Sequence, residues 1–120
     1  MHISCGGSHC AVLYSNGEMF VWGQGMNGAL GINTQSNLFA PQQVHSKEQG
    51  RFSFVDCGKR HTLAVDAGGA TWVSGDNQFR QLGLPHSEKV FEMKRLVEFP
   101  FKVKRTAAGM DHSLLLTEDN

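Results

Sequence analysis

Apolar residues fall in short runs separated by turn formers. Cys10 to Tyr14 is apolar, Ser15-Asn16-Gly17 interrupts it, and Glu18 to Trp22 returns with Met19, Phe20, Val21 and Trp22. An Asn-Gly step between two such runs predicts a β-hairpin, because the left-handed backbone it favours matches the twist of paired strands. The figure recurs downstream, where His61 to Val65 and Ala70 to Ser74 flank Asp66-Ala67-Gly68-Gly69. A third strand is predicted in each half over Ala40 to Val44 and Met93 to Val97, and a fourth over Phe52 to Asp56 and Phe101 to Ala107.

This recurrence is an internal repeat, which must be recognised before any motif is interpreted. "CGGSHCAVL" (5 to 13), "CGKRHTLAV" (57 to 65) and "AGMDHSLLL" (108 to 116) share a Gly, two residues, a His, a small residue and an apolar run. His9, His61 and His112 are 52 and 51 residues apart. Laid over residues 57 to 83 without a gap, residues 5 to 31 are identical at eight of 27 positions, and four of the eight are glycine pairs. Backbone geometry is therefore what the repeat keeps. Four short antiparallel strands every fifty or so residues is the pattern of a β-propeller blade, with a β-solenoid or a sandwich of two similar halves as the structural alternative.

The repeat disposes of an apparent nucleotide motif. Gly23, Gly25 and Gly28 satisfy G-x-G-x-x-G after a strand-like run, but the second copy has Asn77 and Arg80 at the last two places. Glycines that approach a pyrophosphate tolerate no side chain, and the fingerprint needs a helix after the third. Ala29 to Ser46 contains Gly31, Asn33 and Pro41 and shows no 3.6-residue periodicity. Glu48, where a ribose-binding acid would be sought, sits in a polar turn. These are turn glycines.

The stretches "CGGSHCAVL...NGEMFVWG...GALG" and "CGKRHTLAV...GGATWVSGDNQFRQLGL" resemble the repeats of the regulator of chromosome condensation family. That family's copies carry a Gly-x-x-His-[Ser/Thr] start, a hairpin and a Trp-Gly-x-Asn-x-x-Gly-Gln-Leu-Gly end. The departures are Ser74 opposite Trp22, Arg80 opposite Gly28 and Met93 opposite Pro41. The resemblance implies an all-β partial propeller over residues 1–120: copies at 5–56 and 57–107, each a four-stranded antiparallel blade, and an incomplete one at 108–120. On this phasing the chain opens and ends mid-blade. The family ring has seven blades, so two and a fraction imply a segment of a longer chain, or open edges that pair with another copy or partner. Gly6, His9, Gly17, Gly23, Gly31, Gly58, His61, Gly69, Gly75, Gly83, Gly109 and His112 are then structural repeat positions. The resemblance gives each histidine a half-buried place, bonded to the backbone of its own or the next blade.

Composition adds exclusions. Eleven Lys and Arg balance eleven Asp and Glu, so no overall field draws the chain to nucleic acid or an anionic membrane. No apolar run approaches a membrane span, and the first residues lack the basic start and apolar core of a signal peptide. The expected compartment is cytosol or nucleus. Cys5, Cys10 and Cys57 are an odd number without a C-x-x-C pair, which predicts reduced, partly buried thiols without a redox role.

Candidate chemistry is sparse. The three repeat histidines lie on successive blades with no Cys or carboxylate at ligand spacing, so no metal or other cofactor is expected. His2, His45 and His86 do not repeat and read as surface residues. Ser8, His9, Asp111, His112 and Ser113 supply the residue types of a hydrolase triad without its G-x-S-x-G elbow, and strand neighbours point to opposite faces. No catalytic residue is assigned. Trp22, Trp72, Phe20, Phe52 and Phe54 read as core between blades, and with only two tryptophans the family's light-sensing branch is a poor match. Lys89, Lys94, Arg95, Lys102, Lys104 and Arg105 form a local basic stretch against Glu92 and Glu98, suited to an acidic protein face or phosphate but also to plain solvation.

The leading expectation is a protein-interaction scaffold without chemistry of its own, part of a larger regulatory protein. Its blade-connecting loops, above all the inter-hairpin segments 32–50 and 84–100, would carry recognition of a partner protein, since loops on a rigid frame usually do. The family's founding member, a guanine-nucleotide exchange factor for the small GTPase Ran that also binds chromatin, supplies the alternative. Other relatives are ligases and kinases with the propeller as an accessory, so the fold leaves the choice open.

Overall fold

The Asn-Gly hairpin forms where the apolar pattern puts it. In a computed structural model that describes residues 1–44, 51–96 and 101–119, β2 (His9–Leu13) and β3 (Met19–Gly23) pair antiparallel, with Val12 opposite Phe20. Gly17 turns the chain at φ +90°, and the Tyr14 amide donates to the Glu18 carbonyl at 2.9 Å. A strand the apolar pattern does not announce precedes them. β1 (His2–Cys5) lies antiparallel to β2, Ile3 opposite Val12 and Cys5 opposite Cys10. With β4 (Leu38–Gln43) beyond β3, the first sheet has the order β1-β2-β3-β4.

The second sheet repeats the first: β5 (Phe52–Cys57), β6 (His61–Asp66), β7 (Thr71–Gly75) and β8 (Val90–Arg95), in the order β5-β6-β7-β8. β9 (Val103–Ala108) and β10 (Ser113–Thr117) form a two-stranded third sheet. No helix occurs among the described residues.

The strand grouping corrects one expectation. The strand over Phe52 to Asp56 does not close the first blade as its fourth member; it opens the second sheet by pairing with β6, Val55 opposite Ala64. A three-residue turn, 58–60, joins β5 to β6 and makes that pairing local, whereas β4 lies across a longer connection. The sheets are thus phased one strand ahead of the Gly-x-x-His copies, and the first holds four strands as the second does. The predicted turn around Glu48, His45 and the strand end at Val97 lie outside the described residues.

Sheets stack face to face, β1 and β2 against β5, then β5 and β6 against β9. Period-two alternation along each strand sends alternate residues to opposite faces. Ala11, Leu13 and Val21 of the first sheet accordingly meet Val55, Ala64 and Trp72 of the second in one buried cluster. Each Val or Leu side chain removed from water in this cluster contributes about 1.5–3 kcal/mol. The far face of the second sheet buries Leu63, Val73, Leu82 and Leu84, with Leu115 of β10 partly buried against them. Trp72 and Phe52 are core, while Trp22, Phe20 and Phe54 are only half-buried.

The cysteines depart from expectation. Cys5 and Cys10 are joined as a disulfide, because the β1–β2 register sets their Cα atoms 4.1 Å apart across the strands. Cys57 is free and buried, and burial pushes its thiol up to about 12.

Candidate functional site

The repeated polar residues converge where one sheet meets the next. His9 sits at the start of β2, 3% exposed, with its Nε2 2.7 Å from the Thr62 hydroxyl of the second sheet. That hydroxyl donates its single proton to the Ala29 carbonyl at 2.6 Å, back in the first sheet's β3–β4 loop. Thr62 therefore accepts from His9, and the imidazole must carry its proton on Nε2. One repeat later His61 Nε2 lies 3.0 Å from Ser113 Oγ, which donates to the Gln81 carbonyl at 2.7 Å. Ala29 and Gln81 occupy the same repeat position, so the three-part latch is itself repeated.

The latch explains the Gly-x-x-His spacing. The His9 ring folds back over its own turn, so that a methyl group on Gly6 would sit 3.0 Å from His9 Cε1 and would also strike the Gly58 carbonyl. At Gly58 and Gly109 the same close approach involves His61 and His112. The turns also touch one another: the Gly7 amide donates to the Gly58 carbonyl at 3.3 Å, and the Lys59 amide to the Gly109 carbonyl at 3.4 Å. Gly23 and Gly75 lie directly across the strands from His9 and His61 and leave room for them. Gly17 and Gly69 are the hairpin turns, packed on Arg51 and Lys102; Gly31 abuts Met93, and Gly83 borders Leu96.

A second contact accompanies the first. Ser4 Oγ donates to Asp56 Oδ1 at 3.0 Å and accepts the Cys57 amide at 3.0 Å. In the next pair of sheets Asp56 Oδ2 accepts the Ala108 amide at 2.6 Å. His2, read from sequence as a surface residue, donates to the Val55 carbonyl at 2.9 Å and joins the same seam. Sequence reasoning missed Ser4 and Asp56 because the two differ in chemistry while sharing a task.

The electrostatics suit a neutral imidazole. Burial, reinforced by nearby His61, lowers His9 to about 4, and burial also lowers His61. His61 Nδ1 is buried without a hydrogen-bond partner, as the bare nitrogen of an Nε2-protonated ring would be. The polarity runs opposite to a nucleophile–base pair: in each latch the ring donates and the hydroxyl proton is spent on a carbonyl. His112 is exposed, and Ser113 belongs to the His61 latch instead of pairing with it as a dyad. Among the described residues no three His, Cys, Asp or Glu side chains gather as metal ligands.

The remaining candidates fall outside the latch. Gly25 and Gly28 lie in the β3–β4 loop, where Gly25 donates its amide to Asn37 Oδ1 at 3.2 Å and no helix follows. The six basic residues, all exposed, divide between elements. Lys94 and Arg95 lie on β8, the last strand of its sheet, with Lys89 just before it. Lys104 and Arg105 lie on β9 with Lys102 just before it, and Arg105 sits 5.2 Å over the Phe54 ring. The β3–β4 and β7–β8 loops carry exposed Met26 and Phe79, both ahead of the inter-hairpin segments 32–50 and 84–100.

Sheets of one design, stacked face to face and latched by histidine to hydroxyl, define the chain as a stretch of β-propeller. Profiles described as the regulator of chromosome condensation (RCC1) repeat match residues 16–65 and 2–29. The chain belongs to that repeat family. It is 32% identical over 121 residues to the human X-linked retinitis pigmentosa GTPase regulator, covering 99% of this chain and 12% of that protein. To the ultraviolet-B receptor UVR8 of Arabidopsis thaliana it is 34% identical over 119 residues, covering 98% and 27%. The crystal structure of Prp20p from Saccharomyces cerevisiae, reported with its binding properties to Gsp1p and histones, superposes with a TM-score of 0.85 at 20% identity, covering 98% and 31%, and establishes the fold. The chain spans no more than 31% of the length of any of these three. Among the described residues no helix is long and apolar enough to cross a membrane.

Proposed function

We propose that the chain is a protein-interaction module, a stretch of propeller within a larger regulatory protein of the cytosol or nucleus, which meets its partner through the loops that join strands within each blade. The observation that carries this reading is the use already made of the polar side chains: His9, His61, Thr62 and Ser113 are committed to sheet-to-sheet bonds. What differs between copies, and faces solvent, is the loops, with Met26 in the first and Phe79 in the second. Lys89 ends the second loop, just before β8, and is the member of the basic set that an acidic partner face at that loop would meet.

The test is affinity retention on the immobilised chain, compared with the triple variant Met26→Ser, Phe79→Ser, Lys89→Glu. A loop-based module loses bound protein about tenfold or more while its unfolding midpoint stays in place. Undiminished retention with an unchanged midpoint would overturn the reading.

A second reading, nucleotide exchange on a Ran-like small GTPase with chromatin association, draws support from a relative named as a GTPase regulator and from the partners reported for Prp20p. Accelerated release of fluorescent GDP from a small GTPase on adding the chain would favour it over simple binding.

A further inference from the structure

The seam between the first and second sheets has another joint, at the hairpin end of the strands, away from the latch. Arg51, just before β5, runs between the two hairpin turns. Its guanidinium donates to the Asn16 carbonyl at 2.7 Å, its own carbonyl accepts the Ala67 amide at 2.9 Å, and the Phe52 amide donates to the Gly17 carbonyl at 3.0 Å. Gly17 is pressed so close that an added methyl would stand 2.5 Å from Arg51 Cβ. Lys102 takes the same place in the next pair of sheets: the Val103 amide donates to the Gly69 carbonyl, and the Glu118 amide to the Lys102 carbonyl. What does not repeat is the residue before the turn glycine, Asn16 in the first copy and Gly68 in the second.

We propose that Asn16 is a deamidation site gated by the Arg51 joint, and that isoaspartate formed there keeps the joint from closing again. An Asn-Gly step favours this chemistry because glycine has no side chain to shield its amide nitrogen. Asn16 is exposed, and so is Gly68, whose turn has a sheet on either side; the tip therefore stays in water when both flanks are occupied. The Glu18 amide donates to Asn16 Oδ1 at 3.0 Å, which draws charge from the carbon to be attacked.

In the reaction hydroxide takes the Gly17 amide proton and the nitrogen bonds to Asn16 Cγ. The Cγ–Nδ2 bond breaks, ammonia leaves with a proton from water, and a succinimide ring remains. Water then opens either carbonyl of the ring, giving aspartate or isoaspartate; in sum one water enters and one ammonia departs. The gate lies in the peptide unit between residues 16 and 17. Its N–H donates to the Tyr14 carbonyl at 2.9 Å and its carbonyl holds the Arg51 guanidinium, so turning the nitrogen toward Cγ breaks both bonds. Isoaspartate puts an extra methylene into the main chain at that unit, and the carbonyls that met Arg51 and Phe52 no longer reach them.

The experiment ages the full chain in mildly alkaline buffer, folded or in urea, and follows Asn16 by peptide mapping, with isoaspartate counted by its methyltransferase and a labelled methyl donor. The folded chain is expected to react more slowly than the unfolded one, and Arg51→Ala to speed Asn16 about threefold or more. Asn27, the other Asn-Gly step, is half-buried with its glycine against the Val90 carbonyl, and keeps its own rate in that variant. The purified isoaspartate form unfolds at lower urea than the parent, whereas Asn16→Asp, which adds the charge without lengthening the chain, unfolds with it. The proposal is overturned if Asn16 reacts equally fast folded and unfolded, if Arg51→Ala leaves its rate unchanged or speeds Asn27 as much, or if the isoaspartate form keeps the parent's midpoint.

Discussion

Between the first and second sheets, Thr62 is 1% exposed and closes a latch whose histidine, hydroxyl and carbonyl are all sealed inside a continuous apolar seam. Between the second and third, Ser113 makes the same bonds but is half-buried, and the Leu115 beside it is only partly covered. One sequence plan thus yields two contacts of unequal depth. Among the described residues, four strands oppose four at the first seam and two oppose four at the second. The hydrogen-bond geometry is the same at both because it is set locally by Gly-x-x-His, whereas water exclusion depends on the strands around it.

The widest gap between the seams is expected from their apolar residues. Trp72→Ala removes a large side chain from the first seam and lowers stability by about 4 kcal/mol, whereas Leu115→Ala at the second costs about 1–2 kcal/mol; urea unfolding followed by fluorescence and circular dichroism reads both. Similar losses would place the two seams at equal depth.

Next comes pH. The unfolded chain protonates His9 near 6.5, while the folded chain resists until about 4, so the unfolded state binds more protons throughout that window. Stability present at neutral pH is therefore lost as pH falls from 6.5 to 4, by about 3 kcal/mol for His9. The lowered His61 acts in the same direction. His9→Gln removes its share, flattening the pH dependence of the urea midpoint.

Smaller again is the hydroxyl itself. Thr62→Val strands the buried His9 N–H, leaves the Ala29 carbonyl only the longer bond from the Ser74 hydroxyl at 3.4 Å, and costs about 2 kcal/mol. Ser113→Ala, where solvent reaches the site, costs about 1 kcal/mol or less. Equal values in chemical unfolding would erase the distinction.

The least effect is expected at Arg80. It holds φ +57° where its repeat counterpart Gly28 holds φ +82°, the left-handed region that costs a side chain about 1–2 kcal/mol. Arg80→Gly raises the midpoint slightly, by about 0.5–1 kcal/mol. Gly28→Ala lowers it, because the added methyl would stand 2.5 Å from the Val90 carbonyl of the next sheet.

Much of this was legible in the amino-acid order. The hairpins at Gly17 and Gly69 follow from turn chemistry and alternation, and the self-similarity of the copies exposed G-x-G-x-x-G as a set of turns. β1 escaped because four residues with a His and a Ser carry no apolar alternation of their own; pairing with β2 makes them a strand. The assignment of β5 failed for a related reason, since sequence order does not say which neighbour a strand will hydrogen-bond. At the latch, His9 and His61 were visible as repeated residues, but their partners were not. Thr62 and Ser113 looked like the small residue after a histidine, and Ala29 and Gln81 contribute only a backbone carbonyl, which no side-chain pattern reports. The Cys5–Cys10 pair depended on the same unannounced strand.

In each latch the histidine is a neutral donor that fastens one sheet to the next. Nitrogen NMR of the ¹⁵N-histidine-labelled chain, followed from pH 7.5 down to 4.5, tests this most directly. The predicted result is a His9 ring protonated at Nε2 alone and unchanged through pH 6.5, with titration beginning only as pH nears 4. A His9 ring protonated at Nδ1, or one that titrates near 6.5 in the folded chain, would contradict it.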